Sequence, residues 1–367
     1  MFKKQLQHNF KFFIQKIFVL IYGKVKILNL NNQNNEKIVK IDSIKSDKNP
    51  NRNYLLYKIY NGRIYTDTNQ NVAIIDKDNF ISSCSFQHVN NEFKDVSFNN
   101  VLIKGTPRIK KKFTGTIFNL TQGSSGNNYF HFIFDLIPKI YLLKKVLPIE
   151  SIDYFYVPRV TEWQKRIYSI FNINEKKLID SDKFRHIQGD LVIAVSHPWY
   201  FKKDFQNETK NIPEWIVSYN RDKFLPLMKK FDNNKKIFLD RSSSKYNHCQ
   251  IVNYNEISNI LMNKGFTKYN VEKLDFEKQI YLFNQASVII GAHGAAFTNL
   301  LFCKPKAKII EIIPSSHESK KCKRISEILN LDYQRIETKD HFKENYPDSI
   351  LLDKSDLKKI ENIIDLY

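Results

Sequence analysis

The chain has 367 residues, 42% of them hydrophobic and 14% aromatic, which is enough to build the cores of about two domains and excludes global disorder. Lys and Arg outnumber Asp and Glu by 58 to 38, and the resulting charge of +20 indicates either an anionic partner or a composition merely rich in Lys. Four widely spaced cysteines without a CxxC pair exclude a disulfide framework and are typical of a reducing compartment.

Residues 1–50 are predicted to be a lead-in, with an amphipathic helix followed by an Asn-rich irregular stretch. Apolar side chains share one face of this helix and lysines flank it; the face comprises Phe10, Phe13, Ile14, Ile17 and Ile21. Its longest apolar run is too short to span a bilayer, and no small-residue cleavage site follows it. The helix is predicted either to lie on an anionic membrane surface or to pack on its own domain, and both alternatives stay open.

Residues 51–215 are predicted to form an N-terminal domain with β-hairpins and an α/β part. Short β-branched and aromatic runs with turn residues between them indicate the hairpins; they are "YLLYKIY", "RIYTD", "NVAIID" and "NFISSCSF". A buried helix is predicted after Gly126, and the apolar runs "SIDYFYVP" and "DLVIAVSHP" suit buried parallel strands.

Residues 216–367 are predicted to form a Rossmann-like domain, because strand and helix patterns alternate regularly. The predicted strands are "KKIFLDR", "FTKYNV", "SVII" and "KIIEIIP", with helices starting near Asn253 and Asp275. Repeated β-α-β units produce a parallel sheet with helices on its faces. The fold class expected for the whole chain is therefore α/β, with two such domains facing a central cleft.

The stretch "VIIGAHGAAFTNLLF" places a histidine in a loop of small residues between a buried strand and a helix. Gly291 and Gly294 permit tight turns, Ala295 leaves space, and the helix N-terminus attracts anions. A phosphate group is therefore predicted to bind beside His293, with a plain tight turn as the alternative.

Two charged residues extend this predicted phosphate site. Glu311 interrupts the apolar strand "KIIEIIP" about 20 residues after the glycines, a spacing at which dinucleotide folds bind ribose hydroxyls. Arg241 ends the strand "KIFLD" and can clamp a diphosphate with its two-pronged guanidinium. Because His293 and Ala296 replace two glycines of the dinucleotide fingerprint, a nucleoside diphosphate group is expected rather than NAD.

A third stretch, "GSSGNNYFHFIFDLIPKI", carries a polar stripe on a helix that is otherwise apolar. Asn128, His131 and Asp135 recur at helical spacing, so they share one face. A buried His and Asp must find partners, and an Asp one turn from a His can orient the ring as a general base. A purely structural His–Asp pair is the alternative.

A metal site is not predicted from the sequence. The string Asp76-Lys77-Asp78 lies between two strand patterns and is typical of a turn. There is no HExxH motif and no Cys/His cluster along the chain.

These stretches resemble the family 61 glycosyltransferases, which include bacterial enzymes of capsular and surface polysaccharide synthesis. The residues that carry the resemblance fall on a helix pattern and a loop pattern; they are Asn128, Tyr129, His131, Asp135 and Pro138, then Gly291 to Ala295, Thr298, Asn299 and Leu300. The chain departs from the patterns at Phe132, Lys139, Ala296 and Phe297, which are changes of packing.

The resemblance implies a GT-B fold and an inverting transferase that needs no metal or other cofactor. It implies a nucleotide-sugar donor, expected to be uridine-based, and a glycan or glycolipid acceptor on the cytoplasmic face of a membrane. Donor binding is assigned to Arg241, Gly291, His293, Gly294, Ala295, Asn299 and Glu311, and the acceptor side to Asn128. The base is His131 oriented by Asp135, or Asp135 itself, with His293 as the rival. The alternative function is a non-catalytic glycan- or nucleic-acid-binding module, although no nucleic-acid-binding motif accompanies the charge.

Overall fold

A computed structural model describes residues 2–27, 38–41, 52–89, 92–201, 208–242, 248–343 and 346–367. The chain divides into two compact units, Met1–Phe205 and Gln206–Tyr367. The boundary lies near residue 216, where the sequence patterns predict the Rossmann-like domain to begin. The Asn-rich part of the predicted lead-in lies largely outside the described residues.

Unit 1 contains five α-helices and twelve strands within the described residues. The helices are α1 (Phe2–Tyr22), α2 (Asn100–Lys104), α3 (Tyr129–His131), α4 (Ile137–Lys144) and α5 (Glu162–Ile170). The strands are β1 (Lys26–Ile27), β2 (Ile38–Lys40), β3 (Leu55–Tyr60), β4 (Arg63–Thr66), β5 (Val72–Asp76), β6 (Asn79–Phe80), β7 (Gln87–Val89), β8 (Glu92–Lys94), β9 (Lys111–Asn119), β10 (Tyr154–Val157), β11 (Leu178–Asp180) and β12 (His186–Val195). Short 3-10 turns occupy Ser82–Cys84, Val96–Phe98, Ile149–Ser151 and Glu175–Lys177.

The main sheet of unit 1 joins a hairpin region to a parallel region through β12. Strands β9, β10 and β11 follow β12 in parallel, whereas β3 and β4 pair antiparallel with it. The predicted hairpins are therefore present, except that "NFISSCSF" forms only the two residues of β6 and a 3-10 turn. The two-residue connection between β3 and β4 is possible because Asn61 adopts a positive φ of 54°.

The long helical segment after Gly126 is buried as predicted, but it is not one regular helix. A π-helical turn, Phe132–Leu136, separates α3 from α4. Pro138 follows this turn and has no N–H to donate to the carbonyl of Phe134, which removes one regular α-helical hydrogen bond. The wider turn keeps His131 and Asp135 on one side of the segment, where the two side chains meet.

Unit 2 contains five further α-helices and seven strands within the described residues. The helices are α6 (Glu214–Phe224), α7 (Tyr254–Asn263), α8 (Phe276–Gln285), α9 (Lys321–Leu329) and α10 (Lys354–Ile364). The strands are β13 (Lys236–Leu239), β14 (Thr267–Tyr269), β15 (Val288–Ala292), β16 (Lys308–Pro314), β17 (Asp332–Thr338), β18 (Asp340–Lys343) and β19 (Tyr346–Ile350). The 3-10 segments are Leu225–Leu227, Val271–Lys273 and Ala295–Phe302.

The five-stranded sheet of unit 2 is parallel, with the order β14-β13-β15-β16-β17. Counted along the chain from β13, this is the doubly wound order 2-1-3-4-5. The chain winds outward from β13 to β14 and then returns to β15 on the other side of β13. The direction of winding therefore reverses between β13 and β15, and ligands of such sheets bind beyond the carboxyl ends of the strands at this point.

Alternation along the strands sends side chains to both faces of this sheet. One face packs against α7 and α10; its core comprises Phe238, Val288, Ile290, Ile310, Ile312, Ile257, Leu261, Leu357 and Ile360 among others. On the other side, aromatic rings from α6, α8 and the segment Ala295–Phe302 contact one another, with centroids of Phe224 and Phe276 5.1 Å apart. Both faces are thus covered, which explains why β15 and β16 are buried along their whole length.

Helix α1 confirms the predicted N-terminal helix and is largely exposed. Six of its large apolar side chains are solvent-accessible over more than half of their surface, namely Leu6, Phe10, Phe12, Phe13, Leu20 and Ile21. Ile14, Ile17 and Phe18 are half-buried. Its C-terminal end contacts the rest of unit 1, where the Tyr22 hydroxyl accepts a hydrogen bond from Lys110 N at 3.1 Å. Among the described residues, no helix has the length and apolar character that a membrane span requires.

Candidate functional site

The carboxyl ends of β13 and β15 bring Arg241 and the loop around His293 together. Arg241 Nη1 donates a hydrogen bond to the backbone carbonyl of His293. A Cβ atom at position 294 would overlap this guanidinium, so only glycine allows Arg241 to lie this close to the loop. Gly291 is likewise close-packed, because a Cβ there would lie 2.8 Å from Leu239 Cβ. The two glycines and the arginine that the sequence singled out therefore form one structural unit.

The His293 ring is held by a buried carboxylate. His293 Nδ1 hydrogen-bonds Glu311 Oε1, and the Tyr333 hydroxyl donates to Glu311 Oε2 at 2.5 Å. Burial alone would raise the pKa of Glu311, but His293 and the hydrogen bonds outweigh burial and lower it to about 2. Glu311 is therefore an anion that fixes the ring with Nδ1–H toward itself and leaves Nε2 as the second functional atom of His293.

The sequence predicts that Glu311 contacts ribose, whereas in the structure its carboxylate contacts His293 and Tyr333. Both oxygens are engaged within unit 2, and the residue is only 1% exposed. Its contact with a nucleotide sugar stays a prediction.

The segment after the loop starts a helix, as predicted, but in the tighter 3-10 form over Ala295–Phe302. Ala295 is exposed at its first position, next to Gly294. Asn299 lies deeper, with its side-chain amide donating to Gln279 Oε1 at 3.0 Å on α8. The structure thus places Ala295 at the sheet edge and Asn299 in a packing contact between elements.

Two further histidines, which the sequence patterns did not single out, lie next to His293. The ring centroid of His317 is 4.5 Å from that of His293 and 5.3 Å from that of His248. His248 Nδ1 hydrogen-bonds the carboxylate of Asp348. Burial and the two neighbouring histidines lower the pKa of His317 to about 3, so its ring is neutral at physiological pH.

These residues belong to groups whose donor atoms lie within 4.8 Å of one another. Three such groups occur among the described residues: His248, His293 and His317; His248, Cys249 and Asp348; and His293, Glu311 and Cys322. The Asp76-Lys77-Asp78 string contributes to none of them. It forms the turn between β5 and β6, with a positive φ of 56° at Lys77, which confirms the prediction of turn chemistry.

In unit 1, His131 and Asp135 form the predicted pair. His131 Nδ1 lies 2.7 Å from Asp135 Oδ2, and both side chains are buried. Trp199 Nε1–H donates to the other oxygen, Asp135 Oδ1, at 2.8 Å, and His197 Nε2 lies 3.7 Å from Oδ2. Because its two oxygens are both engaged, Asp135 orients the ring, and His131 Nε2 is the atom of the pair left to accept a proton.

The charge state of this pair follows from its surroundings. Burial alone would raise the pKa of Asp135, but the His131 ring with its hydrogen bond, together with the nearby His197, holds it well below its ordinary value. Burial lowers the pKa of His197, which keeps that ring neutral. Asp135 is thus a fixed anion inside the protein, in the same relation to His131 as Glu311 is to His293.

Two neighbours of the pair have structural tasks. Asn128 caps α3, because its side-chain oxygen accepts hydrogen bonds from Phe130 N at 2.9 Å and His131 N at 3.4 Å. Lys139 is buried and donates to Thr121 O at 2.9 Å and Gln122 Oε1 at 3.1 Å. An acceptor contact for Asn128 stays a prediction, since its side chain already positions the backbone of His131.

Several residues of these sites are not predicted by the sequence patterns. Trp199 and His197 follow β12 and reach Asp135 across 64 and 62 positions of sequence (199 minus 135 and 197 minus 135). His248 and His317 each follow the carboxyl end of a strand, which is the one signal that could have pointed to them.

Comparison with known proteins assigns part of the chain to a family. Residues 129–310 match the sequence model of the family described as Glycosyltransferase 61. Residues 129–310 belong to glycosyltransferase family 61. The family 61 segment begins at Tyr129, after the hairpins, and includes His131, Asp135, Arg241 and His293.

One relative of this chain is a β-1,2-xylosyltransferase of Oryza sativa subsp. japonica. It is 36% identical to this chain over 63 residues, which are 17% of this chain. The aligned part spans only 12% of the plant protein. This similarity supports the assignment to family 61. The xylosyltransferase activity in the plant protein's name is stated of that protein alone.

Proposed function

We propose that this chain is an inverting glycosyltransferase that moves a sugar from a nucleotide sugar, expected to be a uridine diphosphate sugar, to a glycan or glycolipid acceptor. Membership of residues 129–310 in family 61 supports the reaction class. The single observation that carries the proposal is the contact of Arg241 with the His293 loop where the winding of the unit 2 sheet reverses. The GT-B arrangement stays a prediction.

The chemistry of unit 2 suits a departing diphosphate. Arg241 supplies a guanidinium that can bind two phosphate oxygens at once. The segment Ala295–Phe302 begins directly after the loop, and the first N–H groups of a helical segment favour an anion. At Gly294 the missing side chain makes room for the Arg241 guanidinium, which is thereby held against the loop. A negative charge that develops on the leaving group is stabilised by such fixed donors.

The transfer itself needs one base. The acceptor hydroxyl oxygen forms a bond to the anomeric carbon, and its proton passes to the base. The bond from that carbon to the diphosphate breaks, and its electron pair goes to the diphosphate oxygen. We assign the base to His131 Nε2, since Asp135 holds Nδ1 and has no free oxygen of its own.

The acceptor is proposed to be a capsular or other surface polysaccharide, and the reaction to take place on the cytoplasmic face of a membrane. The resemblance to bacterial family members supports both statements. A screen of lipid-linked and free glycan acceptors with each nucleotide sugar would identify the product.

Donor binding can be tested by thermal shift and calorimetry with a panel of nucleotide sugars. Arg241→Lys keeps the charge but loses the two-pronged geometry, so we expect about a 10-fold or greater rise in the donor Kd. Gly294→Ala should act in the same direction, because its Cβ displaces the Arg241 guanidinium. Arg166→Lys, at an exposed position of α5, is the matched control and should leave the Kd unchanged.

An unchanged donor Kd in both unit 2 variants would refute the donor site. Stabilisation by oligonucleotides, with no shift from any nucleotide sugar, would refute the transferase assignment as a whole.

A further inference from the structure

Three histidines stand at the carboxyl ends of three adjacent parallel strands in unit 2. His248 follows β13, His293 follows β15 and His317 follows β16, and these strands are neighbours in the sheet. Their ring centroids are 4.5 to 5.9 Å apart. One nitrogen of each ring lies within 4.8 Å of those of the other two. Three separate chain segments thus converge on a common point at the ligand-binding edge.

Two of the three histidine rings are held by a carboxylate, as the rings of metal-binding histidines commonly are. A histidine that binds a metal ion through one nitrogen commonly donates its other N–H to a carboxylate. His293 Nδ1 hydrogen-bonds Glu311, and His248 Nδ1 hydrogen-bonds Asp348. Each carboxylate thus holds Nδ1 of its ring and leaves Nε2 as the nitrogen that can bind a metal ion, although Nε2 of His248 also lies 3.7 Å from Cys249 Sγ.

The third ring, His317, is held more weakly. Its Nδ1 accepts a hydrogen bond of 3.3 Å from Ser319 N. Either ring nitrogen can bind a metal ion once this long hydrogen bond is lost. In a tetrahedral zinc site the ligand nitrogens lie about 3.3 Å apart, so the three nitrogens would have to close by at most about 1.5 Å.

We propose that His248, His293 and His317 bind one divalent transition-metal ion of the zinc type. Three protein ligands leave a fourth position open, as in catalytic zinc sites. Resting on the proposed function, we assign this position to an oxygen of the donor diphosphate, since Arg241 contacts the same loop. An ion placed there stabilises the charge of the leaving group as a Lewis acid.

The donor set decides the class of ion. Neutral imidazole nitrogens suit zinc and its neighbours, whereas magnesium and calcium require oxygen ligands. The expectation of a metal-free transferase came from the resemblance to family 61 and agreed with the lack of short metal-binding motifs such as HExxH in the sequence. Here the three ligands are 45 and 24 residues apart (293 minus 248 and 317 minus 293), so no motif of that kind could contain them.

The test uses the full chain after treatment with a chelator, titrated with Zn²⁺ by calorimetry and with Co²⁺ by visible absorption. One equivalent should bind, and Co²⁺ should develop the intense bands of a four-coordinate site. His248→Ala and His317→Ala remove half-buried rings and should each lower the affinity by more than the roughly 10–100-fold expected for an outer-shell partner. Asp348→Asn should produce that smaller loss, and His8→Ala, on exposed α1, should have no effect.

The metal site would be refuted if less than half an equivalent of Zn²⁺ bound to the chain. It would also be refuted if none of the variants His248→Ala, His317→Ala and Asp348→Asn changed the affinity for Zn²⁺. The transferase assignment fails separately. If nucleotide sugars bind, and sugar transfer proceeds equally in chelator-treated and Zn²⁺-loaded protein, the transferase assignment is retained. The metal ion then does not act on the leaving group. If Zn²⁺ binds through the three histidines and no nucleotide sugar binds, the metal site stands alone.

Discussion

His131 has two ring nitrogens with different surroundings, and this difference makes its role testable. Nδ1 is tied to Asp135, and the second oxygen of Asp135 is tied to Trp199. His131→Ala should therefore lower kcat by about 10²–10⁴, the usual contribution of a general base. The KM for the donor should stay nearly constant, because donor binding is assigned to unit 2. Steady-state kinetics with a defined acceptor measures both constants.

Asp135→Asn provides the accompanying control on orientation. An amide in place of the carboxylate no longer favours the charged ring and can present its NH₂ to Nδ1, which changes the tautomer. The predicted result is a loss in kcat close to that of His131→Ala, with protein stability checked by thermal unfolding. If His293→Ala abolishes turnover with intact donor binding while His131→Ala stays active, the two histidines have exchanged the assigned roles.

At the scale of single residues, the sequence was informative where the partners are close along the chain. His131 and Asp135 are four positions apart, and helical spacing alone predicts the pair. Glu311 was found by its distance from the glycines, but its partners His293 and Tyr333 depend on which strands are neighbours. Trp199, His248 and His317 depend entirely on that neighbourhood, so spacing could not reveal them.

Helix α1 is the element that the rest of unit 1 covers least. Leu6, Phe10, Phe13 and Leu20 recur at helical spacing and are each more than 60% exposed. Lysines lie along the same helix, and the chain carries a net charge of +20. An exposed apolar face with basic flanks fits the surface of an anionic bilayer better than water. Ile14 and Ile17 of the same predicted face are half-buried, so membrane contact and packing on unit 1 both stay open.

We expect the double variant Phe10→Glu and Phe13→Glu to lose binding to vesicles that contain anionic lipid. The substitutions remove the aromatic area that the helix would bury in the bilayer, and they add two negative charges next to the anionic headgroups. Flotation at moderate salt should show at least about a 10-fold drop in the bound fraction, given the transfer free energy of two aromatic side chains. Gln15→Glu, on the opposite face, is the charge control. Equal flotation of the double variant and the unmodified chain would exclude α1 as the contact.

Elements were predictable where apolar patterns are regular. The four strands of the unit 2 sheet named from the sequence all form. Strands β13, β15 and β16 are buried apolar runs, whereas β14 is a partly exposed edge strand. The π-helical turn at Phe132–Leu136 was not predictable, because it depends on how Pro138 interrupts the hydrogen bonds of a helix that burial holds in place. The segment Ala295–Phe302 contacts α6, α8 and α9, and its sequence pattern does not distinguish a 3-10 helix from an α-helix.

At the scale of the whole molecule, charge links stability to pH. Protonation of all nine histidines would raise the formal charge from +20 to +29 (20 plus 9), which increases self-repulsion in the folded state. Buried neutral histidines add to this effect because the unfolded chain binds protons that the folded chain excludes. Acidification below pH 6.5 should therefore destabilise the protein.

His186 isolates one part of this dependence in unit 1. It begins β12, its Nδ1–H donates to Arg108 O at 3.0 Å, and its Nε2 has no hydrogen-bond partner among the described residues. The rings of Tyr22 and Tyr65 lie edge-on to it, with centroids 4.9 and 5.7 Å away. Four segments of unit 1 thus meet at this one ring.

Burial, together with the charges of Arg63 and Lys110, lowers the pKa of His186 to about 4, although the hydrogen bond to Arg108 opposes the shift. The folded chain keeps the ring neutral while the unfolded chain protonates it near pH 6.5, so stability is lost as the pH falls from 6.5 toward 4. At pH 4.5 this linkage amounts to about 2.5 kcal/mol. In His186→Asn, urea unfolding at pH 7.5 and 4.5 should show a pH-induced loss smaller by about that amount, whereas His8→Asn should match the unmodified chain. An equal pH-induced loss in both variants would mean that His186 takes up its proton without unfolding.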